Sequence, residues 1–409
     1  MKIVIFDDQY RENFYPLTLT RPVSDLRVGV LKLRQRLQAY LAAEAVGIFM
    51  DPALAALFQE RHPDWQINQL PKEETIFVNS RLKISDELAE KISKLPASTV
   101  LKQADIVLAA RLTPTVAKPS EIFSDFDNCQ KIEIKAELWQ YLWELVAANS
   151  NYLQQDFDDF FYDRDNHFET EMGITILDPY NIWLGAGCKI APGVVIDASE
   201  GPVILDENVK IMPNAVLIGP CYIGKNSTIK VGAKIYEGTS IGPRCKIGGE
   251  VEESIILGYS NKQHDGFLGH SYLGEWINLG ADSNNSDLKN NYGNVKLYDY
   301  ASGDFLDSQS QFMGMIMGDH SKTGINSTIN TGTVIGVACN LYGRNLIDKF
   351  VPDFSWGEFG ELTRHRLDKF YESADLVKQR RDKLLSDKEK ELYKKIFQNE
   401  FTHKLSEDK

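Results

Sequence analysis

Residues 205–247 read LDENVK IMPNAV LIGPCY IGKNST IKVGAK IYEGTS IGPRCK I, with one aliphatic side chain at the head of every group of six. The run is Leu205, Ile211, Leu217, Ile223, Ile229, Ile235, Ile241 and Ile247. Two residues before each later rung stands a small or slim side chain: Val209, Ala215, Cys221, Ser227, Ala233, Thr239, Cys245. A helix turning every 3.6 residues cannot repeat cleanly at six, and a two-faced strand repeats at two. A short fixed repeat means a solenoid, in which each coil buries its rung against the next.

The ladder extends in both directions. Upstream, Leu184, Ile190 and Ile196 keep the period, with Cys188 and Val194 in the small sites, until a slip through Ala198–Pro202 resets the phase. Downstream, Met317, Thr323, Ile329, Ile335 and Leu341 resume it, with Ser321, Ser327, Thr333 and Cys339 in the small sites. Between about residues 248 and 314 the spacing loosens, and Leu273 to Leu279 is the one clean step. Such a stretch is where a loop leaves the wall, and loops on a rigid scaffold carry binding residues. Four of the five cysteines occupy small repeat sites and read as packing residues, not as disulfides or metal ligands. Cys129 stands alone in the first domain.

A chain of 409 residues has room for two domains and a tail. Its formal charge of −13 argues against a nucleic-acid or anionic-membrane partner. No apolar run is long enough to span a bilayer, and Ile3–Phe6 leads straight into Asp7 and Asp8, unlike a secretion leader. The expected location is the cytoplasm.

Residues 1–165 alternate strand-like runs (Ile3–Phe6, Val46–Met50, Thr75–Val78, Ile106–Ala109) with helical patterns (Val30–Ala43, Ser85–Lys94, Ala136–Asn149), which predicts an α/β domain. Asp7 and Asp8 then lie at the carboxyl edge of its sheet, where such sheets hold ligands. The acidic stretch Asp156–Asp165 reads as a solvated connector, since its spacing matches no metal loop. The solenoid is expected over 166–345 and a helical tail over 346–409. Within the tail, Leu362, Leu367, Phe370, Leu376, Leu384, Leu392 and Phe397 are the expected contacts, on the solenoid or on a neighbouring subunit. His320 is expected at a solvated turn.

Pro16–Pro22, Pro-Leu-Thr-Leu-Thr-Arg-Pro, resembles the signature of sugar-nucleotide pyrophosphorylases. In that family glycines bring backbone N–H groups to a triphosphate while Arg and Lys neutralise its charge. Here Asp8–Glu12 stands in place of the glycine loop, and the family's Arg and Lys fall at Asn13 and Val23. The resemblance leaves Arg21 and Arg27, with Arg11, to bind the nucleotide and Asp7 or Asp8 to hold Mg²⁺. The alternative is a domain that only binds a nucleotide sugar or serves structure.

The six-residue repeat resembles the hexapeptide-repeat acyltransferases, which implies a left-handed parallel β-helix. With the first domain, the arrangement resembles the bifunctional GlmU-like family. Gly269-His270-Ser271-Tyr272-Leu273-Gly274, Asn278-Leu279-Gly280-Ala281, and Asn291-Tyr292-Gly293 with Lys296 resemble its acetyltransferase motifs. The resemblance implies acetylation of glucosamine-1-phosphate by acetyl-CoA, with uridylyl transfer from UTP by the first domain, in a homotrimer. It implies His270 as the base that takes the amine proton, work suited to an imidazole near neutral pH. Tyr272, Asn278, Asn291, Tyr292 and Lys296 would hold the sugar phosphate, and the N–H of Ala281 the thioester oxygen. One residue fewer separates His270 from Tyr272 than in the family, so His264 stands as a rival base. The family's phosphate-binding Arg falls at Gly248, so Lys262 or Lys246 would compensate. Two further readings stay open: a nucleotidyltransferase only, or a non-catalytic nucleotide-sugar-binding trimer.

Overall fold

The computed structural model describes residues 1–167 and 172–398. The first α/β unit contains β1 (Lys2–Phe6), α1 (Leu33–Tyr40), β2 (Ala45–Phe49), α2 (Pro52–Arg61), β3 (Gln66–Ile67), β4 (Thr75–Asn79), α3 (Asp86–Ser93), β5 (Thr99–Gln103), β6 (Ile106–Leu112), α4 (Ile122–Asp127), β7 (Gln130–Glu133) and α5 (Leu142–Phe160). The sheet order is β3-β2-β1-β4-β6-β5-β7. β1 pairs parallel with β2 and β4, whereas β6 runs antiparallel to both β4 and β5.

The connector reading of Asp156–Asp165 needs correction. The helix expected to stop at Asn149 continues to Phe160, and Asp156 is fully buried in it. Its carboxylate takes a two-pronged grip from Arg36 of α1 at 2.6 and 2.9 Å and accepts the Val30 N–H at 2.7 Å. An aspartate reads as a solvated residue in sequence, and only a partner 120 positions away reverses that.

The second unit is a coil of parallel strands in stacked sheets, consistent with a left-handed β-helix. Its nine-stranded face aligns Leu184, Leu205, Ile223, Ile241, Ile256, Leu273, Met317, Ile335 and Val351 in register. A six-stranded face aligns Ile196, Leu217, Ile235, Val251 and Leu268. A five-stranded face aligns Ile190, Ile211, Ile229 and Ile247, and then Lys262. The rungs therefore form three stripes of one continuous core. Corners between faces use the left-handed backbone region, at Asn208, Asn214 and Asn226 with φ of 57–61°, a conformation asparagine tolerates better than most residues. Cys221, Cys245 and Cys339 are buried, and burial pushes each thiol up to about 12.

The loosened stretch is explained by the coil path. Asn285 takes the inward place on the six-stranded side, where its amide exchanges hydrogen bonds with the backbone of Gly269. The chain then leaves the wall and forms a hairpin, Lys296–Asp299 against Asp304–Asp307, before Ile316–Met317 rejoins the nine-stranded face. Val295 and Leu297 of this excursion join Tyr15, Leu17, Trp139 and Trp143 of the first unit, together with Tyr272 and Ile316 of the nine-stranded face, in one apolar cluster. Farther along the face, Trp183, Ile204 and Tyr222 pack on Leu153 and Phe157 of α5. The first unit thus covers the outward side of one solenoid face.

Coil strands continue past residue 345, at Phe350–Val351 and Ser355–Gly357. Two helices follow, α6 (Leu367–Gln379) and α7 (Asp387–Gln398). They fill the angle between the solenoid, through Val337 and Phe354, and α2, through Leu57 and Phe58. Phe370 and Leu392 are buried there, but Leu376 and Leu384 are exposed, against expectation. Residues 399–409 of the expected tail lie outside the described residues. His320 is not at a solvated turn: it is buried between Trp276, Phe370 and Tyr393 because the two helices close over it.

Removing one member of the Arg36–Asp156 pair strands the other charge in the core, at about 3–5 kcal/mol. Arg36→Met and Asp156→Met should each lower the thermal midpoint, and the double variant should recover most of the loss. Circular dichroism melts of the three proteins check this; additive losses would contradict a mutual pair.

Candidate active site

His270 occupies the corner where the coil leaves the six-stranded face for the nine-stranded face, with φ of 45°. The left-handed turn directs its side chain outward, and the ring remains part exposed. One coil above, the departing excursion begins, and it brings Asp287 over the corner. Asp287 Oδ2 lies 2.8 Å from His270 Nδ1. A carboxylate only accepts, so Nδ1 carries the hydrogen and Nε2 presents its lone pair. Phe312, from the returning arm of the excursion, stacks on the imidazole at 5.1 Å between centroids. The ring is clamped by one carboxylate and one aromatic face.

Glu252 lies on the same side. Its ligand atom, Nδ1 or Nε2 of His270, and an oxygen of Asp287 fall within 4.8 Å of one another, the one such trio among the described residues. Burial raises the Glu252 pKa, and the Asp287 charge adds to the effect. Two carboxylates flank one imidazole, and Asp287 orients the ring as the acid of a triad does. That suits a base as well as a cation site.

A recess of about 390 Å³ adjoins the dyad, lined by Ser286, Leu288, Lys289, Asn290, Asn291, Asn330, Thr331 and Lys349. Ser286 and Leu288 flank Asp287 in the chain, and Leu288 bridges Phe312, which stacks on His270. Lys349 Nζ donates to Thr331 O at 2.9 Å. Its pKa is lowered, first by burial, with the nearby Lys289 charge contributing. Two ammonium groups and a set of amides and hydroxyls are the donors a sugar phosphate requires.

Several residues singled out from the sequence lie elsewhere. Tyr272 is fully buried, its hydroxyl accepting the Arg27 N–H at 2.8 Å and donating to Arg27 O at 2.9 Å. It joins the two units and has no surface left for a sugar. Lys262 fills an inward rung, its ammonium donating to the carbonyls of Gly248, His264 and Gly266. Asn278 lies on the five-stranded side, bridging Asn261 and Lys322, away from the His270 corner. Ala281 follows it on that side, its carbonyl accepting from the Asn326 N–H at 2.8 Å. His264 is exposed. Of the motif residues downstream, Asn291 lines the recess, while Tyr292 and Lys296 are exposed beside it. Lys289, Lys349 and Asp287 were not singled out, since spacing alone does not place the excursion over the corner.

The first unit turns its signature inward. Arg21 is buried and forms an ion pair with Asp319 of the solenoid, with Glu275 at 3.6 Å. Thr20 donates to the same Asp319 carboxylate at 2.9 Å. Arg27 donates to Val30 O and lies over the Tyr222 ring at 5.2 Å. Neither arginine is directed to a ligand; both are spent on the junction. Asp8 is gripped by Arg81 at 2.6 and 2.9 Å and by Asn79 at 2.9 Å. Asp7 accepts the Val23 N–H at 3.1 Å, while its other oxygen is buried without a hydrogen-bond partner among the described residues. Burial raises its pKa to about 6. One carboxylate saturated by arginine and one sealed in the interior do not fit Mg²⁺, which needs charged, accessible oxygens and its own water.

Comparison with known proteins matches residues 3–165 to the sugar nucleotidyl transferase family and residues 202–236 to bacterial transferase hexapeptide repeats. A bifunctional GlmU protein of Synechococcus elongatus is 27% identical over 201 residues, 44% of this chain and 40% of the relative. A bifunctional sugar-1-phosphate nucleotidylyltransferase/acetyltransferase of Sulfurisphaera tokodaii is 32% identical over 272 residues, 61% of this chain and 64% of the relative. The chain therefore spans less than two thirds of either relative's length. A solved Arabidopsis UDP-N-acetylglucosamine acyltransferase is similar over 50% of this chain and 77% of that one, at 15% identity and a TM-score of 0.23. No helix among the described residues is long and apolar enough to cross a membrane. A sugar nucleotidyl transferase domain followed by hexapeptide repeats, with GlmU relatives at modest identity, is consistent with a divergent GlmU-like family.

Proposed function

We propose that this chain transfers the acetyl group of acetyl-CoA to the amine of glucosamine-1-phosphate, with His270 as the general base. The carrying observation is the 2.8 Å contact between His270 Nδ1 and Asp287, beside a recess holding two lysines. Asp287 keeps the imidazole in one tautomer, as the orienting acid does in a catalytic triad. Nε2 takes the proton of the amine as nitrogen attacks the thioester carbon; the C–S bond then breaks, and the proton returns to the departing thiolate. Lys289 and Lys349 hold the sugar phosphate, and Asn290, Asn291 and Asn330 meet its hydroxyls. Family likeness supports a homotrimer, in which a neighbouring copy would close the open side of the recess.

A second reading, uridylyl transfer from UTP by the first unit, is favoured by the family match over residues 3–165. The inward-turned Arg21 and Arg27 and the misfit of Asp7 and Asp8 to Mg²⁺ count against it. We therefore give the first unit a scaffolding role, and place the chemistry on the solenoid.

His270→Ala should lower kcat/KM for CoA release by about 10²–10⁴-fold, the usual worth of a positioned base. Asp287→Asn should cost about 10–100-fold as an orienting partner, whereas His264→Ala should leave turnover near wild type. The reverse ranking of the two histidines in a thiol-release assay would move the base to His264.

Lys289→Gln with Lys349→Gln should raise KM for glucosamine-1-phosphate by about tenfold or more, each tenfold being about 1.4 kcal/mol of lost binding. Tyr272→Phe should leave KM unchanged while lowering the melting point, since a junction hydrogen bond is worth about 1 kcal/mol. A raised KM in Tyr272→Phe would return that residue to the sugar site.

A further inference from the structure

The outward row of the five-stranded side presents Lys246, Asn261, Asn278 and Lys322 in register, one per coil. The C-terminal end of α6 crosses this row and brings Arg380 and Arg381 over it. Arg381 donates from Nη2 to Asn261 Oδ1 at 2.9 Å. The recess between row and helix holds about 270 Å³, and no acidic side chain is among the described residues that line it.

Four cations therefore line the recess with no carboxylate among its described lining residues, and the Lys322 ammonium donates to His320 O at 3.3 Å. Burial lowers the Lys246 pKa, and the charges of Arg381 and Arg380 lower it further. Burial alone lowers Lys322 to about 8. Lys246 thus loses water and gains like-charged neighbours, a cost that a bound anion would offset. Four buried cations elsewhere are neutralised by carboxylates: Arg21 by Asp319, Arg36 by Asp156, Arg81 by Asp8, Lys378 by Glu389. The recess under α6 has no such carboxylate among its described lining residues.

We propose that this recess binds the phosphate group of a small phosphorylated molecule, at a site separate from the His270 corner. Guanidinium forks and ammonium groups meet the oxygens of a tetrahedral dianion, and the amides of Asn261 and Asn278 supply neutral donors beside them. The recess is too small for a polyanionic chain, and the net charge of −13 repels one. Free phosphate and a phosphate monoester share the required chemistry.

The test must silence the lysines of the first recess. In the full-length Lys289→Gln/Lys349→Gln protein, calorimetric titration with inorganic phosphate, pyrophosphate and glycerol phosphate should show saturable binding of at least one probe. Adding Arg380→Gln and Arg381→Gln should weaken that binding at least tenfold, and Arg380→Gln alone, on the exposed helix end, should weaken it severalfold with the melting point in buffer unchanged. Tighter binding of glycerol phosphate than of inorganic phosphate would identify the ester as ligand; the opposite order would identify the free ion. Either order supports the site. Absence of saturable binding by all three probes, or binding indifferent to the arginine changes, would overturn it. Because the lysines near His270 are already absent, loss of acetyl transfer has no bearing on the outcome.

Discussion

Every coil of this solenoid depends on its neighbours. A turn of three short strands cannot enclose a core of its own, so each inward side chain is buried only because another lies directly above and below it. The in-register column Leu205–Ile223–Ile241–Ile256–Leu273–Met317 is the physical expression of that constraint. Residues between rungs are released from packing duty and point outward. Three faces result, and they are put to different uses. One is covered by the α/β unit, one carries a cationic row under α6, and the corner between two of them holds His270.

The α/β unit illustrates how a motif changes its work. A threonine and an arginine of a stretch that resembles a nucleotide-binding signature, Thr20 and Arg21, instead meet Asp319 across the junction. An arginine buried against a carboxylate is strongly constrained, because loss of either member leaves an unpaired charge in the interior. The Tyr272 hydroxyl, bonded to both backbone groups of Arg27, reinforces the same joint. The joint is polar at these points and apolar around them, so the two units are locked in register as well as held together.

How the site is read depends on length scale. The ladder is legible because its period is local, and the corner histidine is legible because the motif around it is short. Asp287, Lys289 and Lys349 are not, since Asp287 reaches His270 only by passing over the coil wall 17 positions later. Lys262 and Tyr272 are hard to read for the converse reason. A lysine and a tyrosine look like surface donors in sequence, and only their inward or interfacial placement shows that backbone groups already satisfy them. Asp156 and His320 follow the same pattern, each buried by an element far away in the chain.

The six-residue period by itself determined the solenoid, the phase of its rungs, the buried place of Cys221, Cys245 and Cys339 and the location of the excursion. These follow from which side chains must point inward, a question settled by neighbours six residues apart. The tertiary structure decided which polar residues face each other. It set Asp287 on His270, Asp319 on Arg21, and α6 over Lys246 and Lys322. Those pairings depend on how coils stack and how the units dock, and no local spacing encodes the distance between side chains on different coils.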